Sequence, residues 1–268
     1  MAFRWQWLLI LSVLLSGGGQ GFAASGRETR AYAAAQSAFQ AEMWSRAETE
    51  FAQFTRKYPK SDRVAEAVLL QAEAEFKQEK YPQAIALLQT GKAAAGKLAD
   101  QYVYWIGEAQ FQNGDFSTAA ETFVSLPRDF PESSLRLRGM VEAAAALAQT
   151  NEWPQVVTLL EETNSVFQRT AQMDSGNELV SRGHLLLARA KFAQSDFTGA
   201  AAVLGSLNSQ TLQPELDWQR TYLFYQVKLE SGDTGAALAA TTNLVQIARL
   251  EKNDVLRAES VALRAGVL

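Results

Sequence analysis

The 268-residue sequence contains no cysteine and a single histidine, His184. The first absence excludes disulfides and lipid attachment at an N-terminal cysteine, so packing alone must hold the fold together. The second leaves little material for histidine-based metal sites or catalytic pairs, and no nucleophile-elbow pattern accompanies His184. A lone histidine at the start of a helix is more often structural. We therefore expect no enzyme, with no catalytic residues, no metal and no cofactor.

Clusters of basic residues are also missing. The 25 Lys and Arg are outnumbered by 29 Asp and Glu, which gives a net charge of −4 at pH 7. Nucleic-acid binding relies on clustered Lys and Arg, and helices that bind a membrane surface combine a basic face with an apolar one. Neither pattern is present in the mature sequence, so neither nucleic acid nor a membrane surface is an expected partner.

One segment, Gly91–Lys97, fits the first part of a phosphate-binding loop. That motif requires Ser or Thr as the next residue and a strand before it. Residue 98 is Leu, and residues 83–89 have a helical pattern. We interpret the segment as a helix end followed by a turn.

The apolar run near the N-terminus is short, since it covers only residues 7–15. A membrane-spanning helix needs about 20 apolar residues. The run follows Arg4 and leads into small residues that end at Ala23, a pattern typical of a secretory signal peptide. We predict that residues 1–23 are a signal peptide cleaved after Ala23, the alternative being a retained transmembrane anchor. An exported chain without disulfides suits a bacterial cell envelope.

A repeated pattern dominates the rest of the chain and is clearest in residues 107–123. A small residue, an aromatic four residues later, an Asn-Gly-Asp turn and a second aromatic predict two antiparallel helices joined by a tight turn. The second aromatic recurs at steps of 37, 35, 37, 44 and 37 residues, as Trp44, Tyr81, Phe116, Trp153 and Phe197, with Thr234 in the sixth copy. Three residues later comes Ala47, Ala84, Ala119, Val156, Ala200 or Ala237. Five residues before it lies Phe39, Phe76, Phe111, Ala148, Phe192 or Leu229.

These columns predict an all-α fold of six antiparallel helical hairpins, with at least twelve helices and no sheet. Hairpins 1–4 occupy residues 24–173 and hairpins 5 and 6 occupy residues 183–250. The turn signal at Asp174–Asn177 predicts a loop over residues 174–182, which is either a hinge or a lengthened loop in one rigid superhelix. Residues 251–268 predict a terminal helix that begins a seventh hairpin, the alternative being a single capping helix.

The pattern resembles the tetratricopeptide repeat over roughly residues 28–248. The residues that match consensus positions of that family are Ala35, Ala47, Phe51 and Pro59 in the first copy and Gly107, Ala119, Phe123 and Pro131 in the third. The steps exceed the 34 residues of the family, and the fourth and sixth copies lack several consensus residues. The resemblance implies a right-handed superhelix with a concave groove.

Within the family, the first copy, with its Tyr58-Pro59-Lys60-Ser61 segment, resembles periplasmic members. These are the accessory subunit of the outer-membrane β-barrel assembly machine, a lipoprotein, and the Tol-associated cell-division coordinator. The resemblance implies a non-catalytic scaffold, in the periplasm or associated with the outer membrane, that binds a protein or peptide of the envelope in its concave groove. The alternative is a spacer or substrate-handling module of a longer periplasmic assembly or polymer-export protein.

The resemblance also implies which residues line the groove, because first helices form most of it in this family. Position by position, one column contains Tyr32, Leu69, Tyr104, Val141, Leu185 and Tyr222, and the next turn contains Gln36, Glu73, Glu108, Ala145, Arg189 and Gln226. Exposed tyrosines would supply contact area, whereas the alternative for Leu69, Val141 and Leu185 is the core. The charges divide into Glu66, Glu73 and Glu108 in the N-terminal half and Arg138, Arg182 and Arg189 in the C-terminal half. Such a gradient would orient an extended ligand of opposite polarity.

Overall fold

The structure is a computed structural model that describes residues 26–207 and 212–267. The predicted signal peptide, residues 1–23, and Leu268 lie outside the described residues. Within them the structure has fourteen α-helices, two short 3-10 turns and no strand, which confirms the all-α prediction. The helices are α1 Gly26–Gln40, α2 Trp44–Lys57, α3 Val64–Lys77, α4 Tyr81–Gly91, α5 Ala99–Gln112, α6 Phe116–Asp129, α7 Arg136–Gln149, α8 Trp153–Glu161, α9 Val166–Met173, α10 Glu178–Ala193, α11 Phe197–Ser206, α12 Pro214–Glu230, α13 Thr234–Leu250 and α14 Asp254–Val267.

Six hairpins account for twelve of these helices. Their first helices are α1, α3, α5, α7, α10 and α12, and their second helices are α2, α4, α6, α8, α11 and α13. Every second helix begins at the residue that the repeated pattern places after the turn: Trp44, Tyr81, Phe116, Trp153, Phe197 and Thr234. Outside the junction formed by α9 and α10, each helix packs mainly on its neighbours in sequence, so the hairpins stack one after another and share no single core.

Small residues lie where the two helices of a hairpin cross. The residues of the alanine column, three positions into each second helix, are at most 1% exposed in all six copies. On the facing first helix, a Cβ added at Gly107 would lie 2.6 Å from the ring of Phe123. Larger side chains at these positions would push the packed backbones apart.

The turn inside each hairpin has the same geometry in all six copies. The residue two positions before the second helix has a positive φ, and these residues are Glu42, Glu79, Gly114, Asn151, Ser195 and Gly232. In the first copy the N–H of Met43 donates to the carbonyl of Ala38 at 2.9 Å, and the N–H of Glu42 donates to the carbonyl of Phe39 at 3.0 Å. This pair of bonds defines a Schellman motif, which ends the first helix and reverses the chain.

Aromatic pairs pack beside four of these turns. Their ring centroids lie 5.2 Å apart for Phe39 and Trp44, and 5.3 Å for Phe76 and Tyr81. The corresponding pairs in the third and fifth hairpins are Phe111 with Phe116 at 5.2 Å and Phe192 with Phe197 at 5.8 Å. These are the two aromatic columns of the sequence pattern, and they hold together the ends of the two helices of each hairpin.

The junction between the fourth and fifth hairpins differs from the prediction. The predicted loop at 174–182 is too long, because α10 already begins at Glu178. The extra residues of the longest step form α9, which packs against α7, α8 and α10. Phe167 of α9 is fully buried, and a Cβ added at Gly183 of α10 would overlap its ring. The insertion is therefore a helix wedged between two hairpins, with only residues 174–177 left as a loop.

Candidate binding surface on the first helices

The two columns predicted to line a groove fall in equivalent places in the structure. Tyr32 lies eight residues before the end of α1 at Gln40, and Tyr222 lies eight residues before the end of α12 at Glu230. The same offset holds for the rest of the first column, and the second column lies four residues before each helix end. We call the face that carries both columns the first-helix surface.

The first column is mostly core. Tyr32, Leu69, Tyr104 and Val141 are between 3% and 5% exposed, whereas Leu185 and Tyr222 are half-buried. The tyrosine rings pack on second helices, with centroids 5.3 Å apart for Tyr32 and Phe54 and 6.0 Å apart for Tyr104 and Phe123. The expectation that the N-terminal tyrosines form an exposed contact stripe is therefore wrong, because this register position faces the second helix of its own hairpin.

The second column supplies the groups that reach solvent. Gln36 and Arg189 are exposed, and Glu73, Glu108, Ala145 and Gln226 are half-buried. Any ligand of this face would meet polar and charged groups first, with apolar side chains beneath them.

Glu73 of α3 interacts with a residue of the next hairpin. Its carboxylate accepts a hydrogen bond from the indole N–H of Trp105 in α5. Burial raises the pKa of Glu73 to about 7, while Lys77 and the Trp105 bond oppose that shift. A carboxylate with this pKa changes its charge near neutral pH, so its ionisation is sensitive to any charge brought close to it.

A second charged group lies across α5 and α7. Burial and the charge of Glu142 raise the pKa of Glu108 to about 8, against a hydrogen bond from the Tyr104 hydroxyl and the charges of Arg138 and Lys77. Burial raises the pKa of Glu142 as well, against Arg138 and Arg182. The two carboxylates disfavour each other's ionisation, and the charge of Arg138 favours the ionised form of both.

The charges are less segregated than the sequence pattern predicted. Arg138 of the predicted basic half acts on Glu108 of the predicted acidic half and on Glu142, which the pattern did not single out. Arg182 forms an ion pair with Glu178 at 2.6 Å. Acidic and basic groups therefore alternate from α5 to α10, and the net acidic stretch runs from Glu73 to Glu142.

Two other motifs of the sequence, His184 and the segment Gly91–Lys97, do not belong to the two columns. His184 packs edge-on against Phe167 with ring centroids 5.2 Å apart, and burial lowers its pKa, so the imidazole is neutral near pH 7. The phosphate-loop-like segment Gly91–Lys97 follows helix α4 and runs through two 3-10 turns. Among the described residues there is no group of three or more side chains that could hold a metal ion.

Two family models match the N-terminal part of the chain. The model of an outer membrane lipoprotein family matches residues 25–90, and a tetratricopeptide repeat model matches residues 69–134. Together they cover the first three hairpins. No curated protein matches the sequence significantly.

Solved structures match over most of the chain at low identity. A tetratricopeptide repeat protein from Parabacteroides merdae ATCC 43184 is 11% identical with a TM-score of 0.62, and the match covers 90% of this chain and 93% of that one. BtubC from P. vanneervenii is 13% identical with a TM-score of 0.57, over 89% and 92% of the two chains. The TPR-like repeats of a putative kinesin light chain from Podosopora anserina are 19% identical with a TM-score of 0.53, and the match covers 68% of this chain and 94% of that one. These likenesses show the fold, a superhelix of helical repeats.

Through all residues that the structure describes, no helix combines the length and the apolar character needed to cross a membrane.

Proposed function

We propose that this chain, whose first three hairpins match models of an outer membrane lipoprotein family and of the tetratricopeptide repeat, is a non-catalytic scaffold that binds an envelope protein or peptide on its first-helix surface. Repeats of this family generally bind other proteins or peptides, and their fold is generally non-catalytic. We further propose that the bound segment presents a basic side chain to the stretch from Glu73 to Glu142.

The shared carboxylate site of Glu108 and Glu142 is the observation that carries this proposal. Burial raises the pKa of both carboxyl groups, and the charge of Glu142 raises the pKa of Glu108 further. A lysine or arginine of a partner would stabilise the ionised forms and so lower the pKa of both carboxyl groups. An acidic or neutral segment would gain nothing there, so the site discriminates by charge.

Two observations support an envelope location. The first 23 residues have the pattern of a secretory signal peptide, and the lipoprotein family model matches the hairpins that follow. With no cysteine to lipidate, the chain would be a periplasmic protein or would be held at the outer membrane by a partner.

Site-specific crosslinking tests the surface directly, because a cysteine-free chain accepts single labelled cysteines. Gln36→Cys places a photoreactive label on the first-helix surface, and Gln53→Cys places the same label on an exposed position of the second helix α2. We expect partner crosslinks in the envelope fraction from residue 36 and few from residue 53. Equal yields from both positions, or a reversed preference, would overturn the proposed surface.

The basic segment is tested by combining Glu73→Gln with Glu108→Gln in the labelled Gln36→Cys chain. We expect a lower crosslink yield with a weaker dependence on salt, because screened attraction between opposite charges is lost. Glu121→Gln, at an exposed position of α6, is the matched control and should leave the yield unchanged. Tyr104→Ala is unsuitable here, since Tyr104 is buried and its loss would disturb the fold.

A further inference from the structure

The charges at the turns of the hairpins are largely compensated within the chain. Lys80, at the turn of the second hairpin, lies 2.7 Å from Glu48. Lys228, at the turn of the sixth hairpin, lies 3.2 Å from Asp233. First helices begin and second helices end at the opposite edge of the array, away from the turns. The charges of the first hairpin are distributed differently at that edge.

This edge of the first hairpin is basic. Residues 26–30 and 56–66 contain six Lys and Arg but only three Asp and Glu, although the whole chain has a net charge of −4. We call the six cations the basic edge: Arg27, Arg30, Arg56, Lys57, Lys60 and Arg63. The first five are exposed and the last is half-buried. Within the part of the chain that the structure describes, none of the six forms an ion pair with a carboxylate.

Packing between three helices brings these cations to one edge. The guanidinium of Arg63, just before α3, lies 4.9 Å from the centroid of the Tyr32 ring in α1. That ring packs on Phe54 near the end of α2, with centroids 5.3 Å apart. The Lys57 ammonium at the end of α2 lies 5.6 Å from the centroid of the Tyr58 ring. No single helix contains all six cations, so the expectation that no membrane surface is a partner, which considered helices one at a time, did not include them.

Helix stability accounts for only part of the basic edge. Arg56 and Lys57 lie in the last turn of α2, where a cation interacts favourably with the helix dipole. Arg27 lies in the first turn of α1, where the same dipole disfavours a cation. Lys60 lies in the loop between α2 and α3. A concentration of exposed cations that the helices do not require indicates attraction to an anionic partner.

We propose that the basic edge binds the anionic headgroups of a membrane surface, with the turn of the first hairpin pointing away from the bilayer. Each Lys or Arg held close to an anionic leaflet adds to the attraction. The first-helix surface lies along the sides of the helices and not at their ends, so it stays open in this orientation. The inference does not depend on partner binding at that surface.

Two features favour a membrane over an acidic protein segment. The cations come from the ends of helices and from a loop, so they spread over an edge and do not line a groove. The chain also enters the described structure at this edge, at Gly26, and the apolar run of residues 7–15 precedes it. A retained anchor would hold the basic edge at the bilayer. Cleavage after Ala23 would instead add the positive charge of a new α-amino group close to the edge.

The test uses the chain from Ala24 onward, which contains all fourteen described helices, so that the apolar run of residues 7–15 cannot insert into lipid. Vesicles of phosphatidylglycerol and phosphatidylcholine in equal amounts should sediment the chain, and vesicles of phosphatidylcholine alone should not. Binding should weaken steeply as the salt concentration rises, because salt screens the attraction. Sodium phosphate and sodium chloride at equal ionic strength should release the chain equally.

Neutralising four cations of the basic edge should weaken binding to the anionic vesicles at least about tenfold, since each contributes to the attraction. This variant combines Arg27→Gln, Arg30→Gln, Lys57→Gln and Lys60→Gln. The matched control makes the same change in net charge at four exposed residues later in the chain: Arg169→Gln, Arg249→Gln, Lys252→Gln and Arg264→Gln. The control should bind within about twofold of the unchanged chain, because distant charges are screened. Circular dichroism checks that both variants keep the helical fold.

Equal losses in the two variants would overturn the proposal, because net charge and not the basic edge would then control binding. Equal binding to phosphatidylcholine vesicles would overturn it too, as would stronger release by phosphate than by chloride, which would assign the edge to free phosphate. A chain that does not sediment with anionic vesicles would exclude the membrane and leave an acidic protein as the occupant. Crosslinking from residue 36 is a separate measurement, so a failure here would leave the proposed first-helix surface unaffected.

Discussion

At the scale of single residues, the crossings between helices have room for a methyl group and little more. Ala119 is fully buried where α6 crosses α5, next to the Gly107 backbone on which Phe123 lies. Ala119→Leu should lower the free energy of unfolding by about 1–3 kcal/mol, because three added carbons must displace packed backbone. Urea unfolding followed by circular dichroism measures the change. Ala33→Leu, at an exposed position of α1, should be nearly neutral, and an unchanged midpoint for Ala119→Leu would contradict the crossing geometry.

The charged site makes stability depend on pH in a predictable direction. Because the native pKa of Glu108 is raised from 4.5 to about 8, the folded chain binds more protons than the unfolded chain between these values. The stability that proton binding at Glu108 adds to the folded chain is therefore fully present below about pH 4.5, and it is lost as pH rises through about 8. Glu108→Gln should flatten the pH dependence of the urea midpoint between pH 5 and 8.

The matched control for that titration is Glu121→Gln, which removes an exposed carboxylate of α6. It should keep the wild-type pH profile. A Glu108→Gln profile that falls as steeply as the wild-type profile would show that this carboxylate titrates normally in the folded state.

At the scale of elements, the Schellman turns offer mutations of opposite sign. Glu79 adopts φ +61°, where a side chain is unfavourable, so Glu79→Gly should stabilise the chain by up to about 1 kcal/mol. Gly114→Ala, at φ +87° in the next hairpin, should destabilise it by about as much. Gly205→Ala in α11 should instead stabilise it by roughly 0.5–1 kcal/mol, since its Cβ meets open space within a helix. Thermal unfolding compares the three, and a common sign for both glycine substitutions would contradict the turn geometry.

Most of the element order could be predicted because each hairpin repeats the same local signals. An aromatic after a turn and an alanine three residues later locate the start of a second helix without knowledge of the tertiary structure. Helix α9 could not be predicted in this way, because it has no counterpart in the other copies. Its existence depends on a tertiary contact, the seating of Phe167 on Gly183, which no local pattern reveals.

The sequence predicted which helix positions form the candidate site, but not how deeply their side chains are buried. The register that placed Glu73 and Glu108 on the first-helix surface is the one in the structure. Whether a residue at such a position is exposed depends on the side chains that the second helix places against it, and the rings of Phe54 and Phe123 pack on Tyr32 and Tyr104. Glu142 escaped prediction because it lies between the columns and acquires its role only from the neighbouring Glu108.

At the scale of the whole molecule, the array is asymmetric along its length. Its N-terminal hairpins carry the clearest repeat signals and the matches to both family models. The acidic site lies between α3 and α7, in the same N-terminal part of the array.

The stacking of each helix on its neighbours in sequence also governs how the chain reaches this structure. Contacts between residues that are near in sequence require only short loops to close, so their entropic cost is small and folding is fast. A hairpin needs no residue from the far end of the chain, and the first hairpin can form while later ones are still unfolded. A chain that emerges from a narrow pore with its N-terminus first could therefore fold one hairpin at a time as each hairpin emerges.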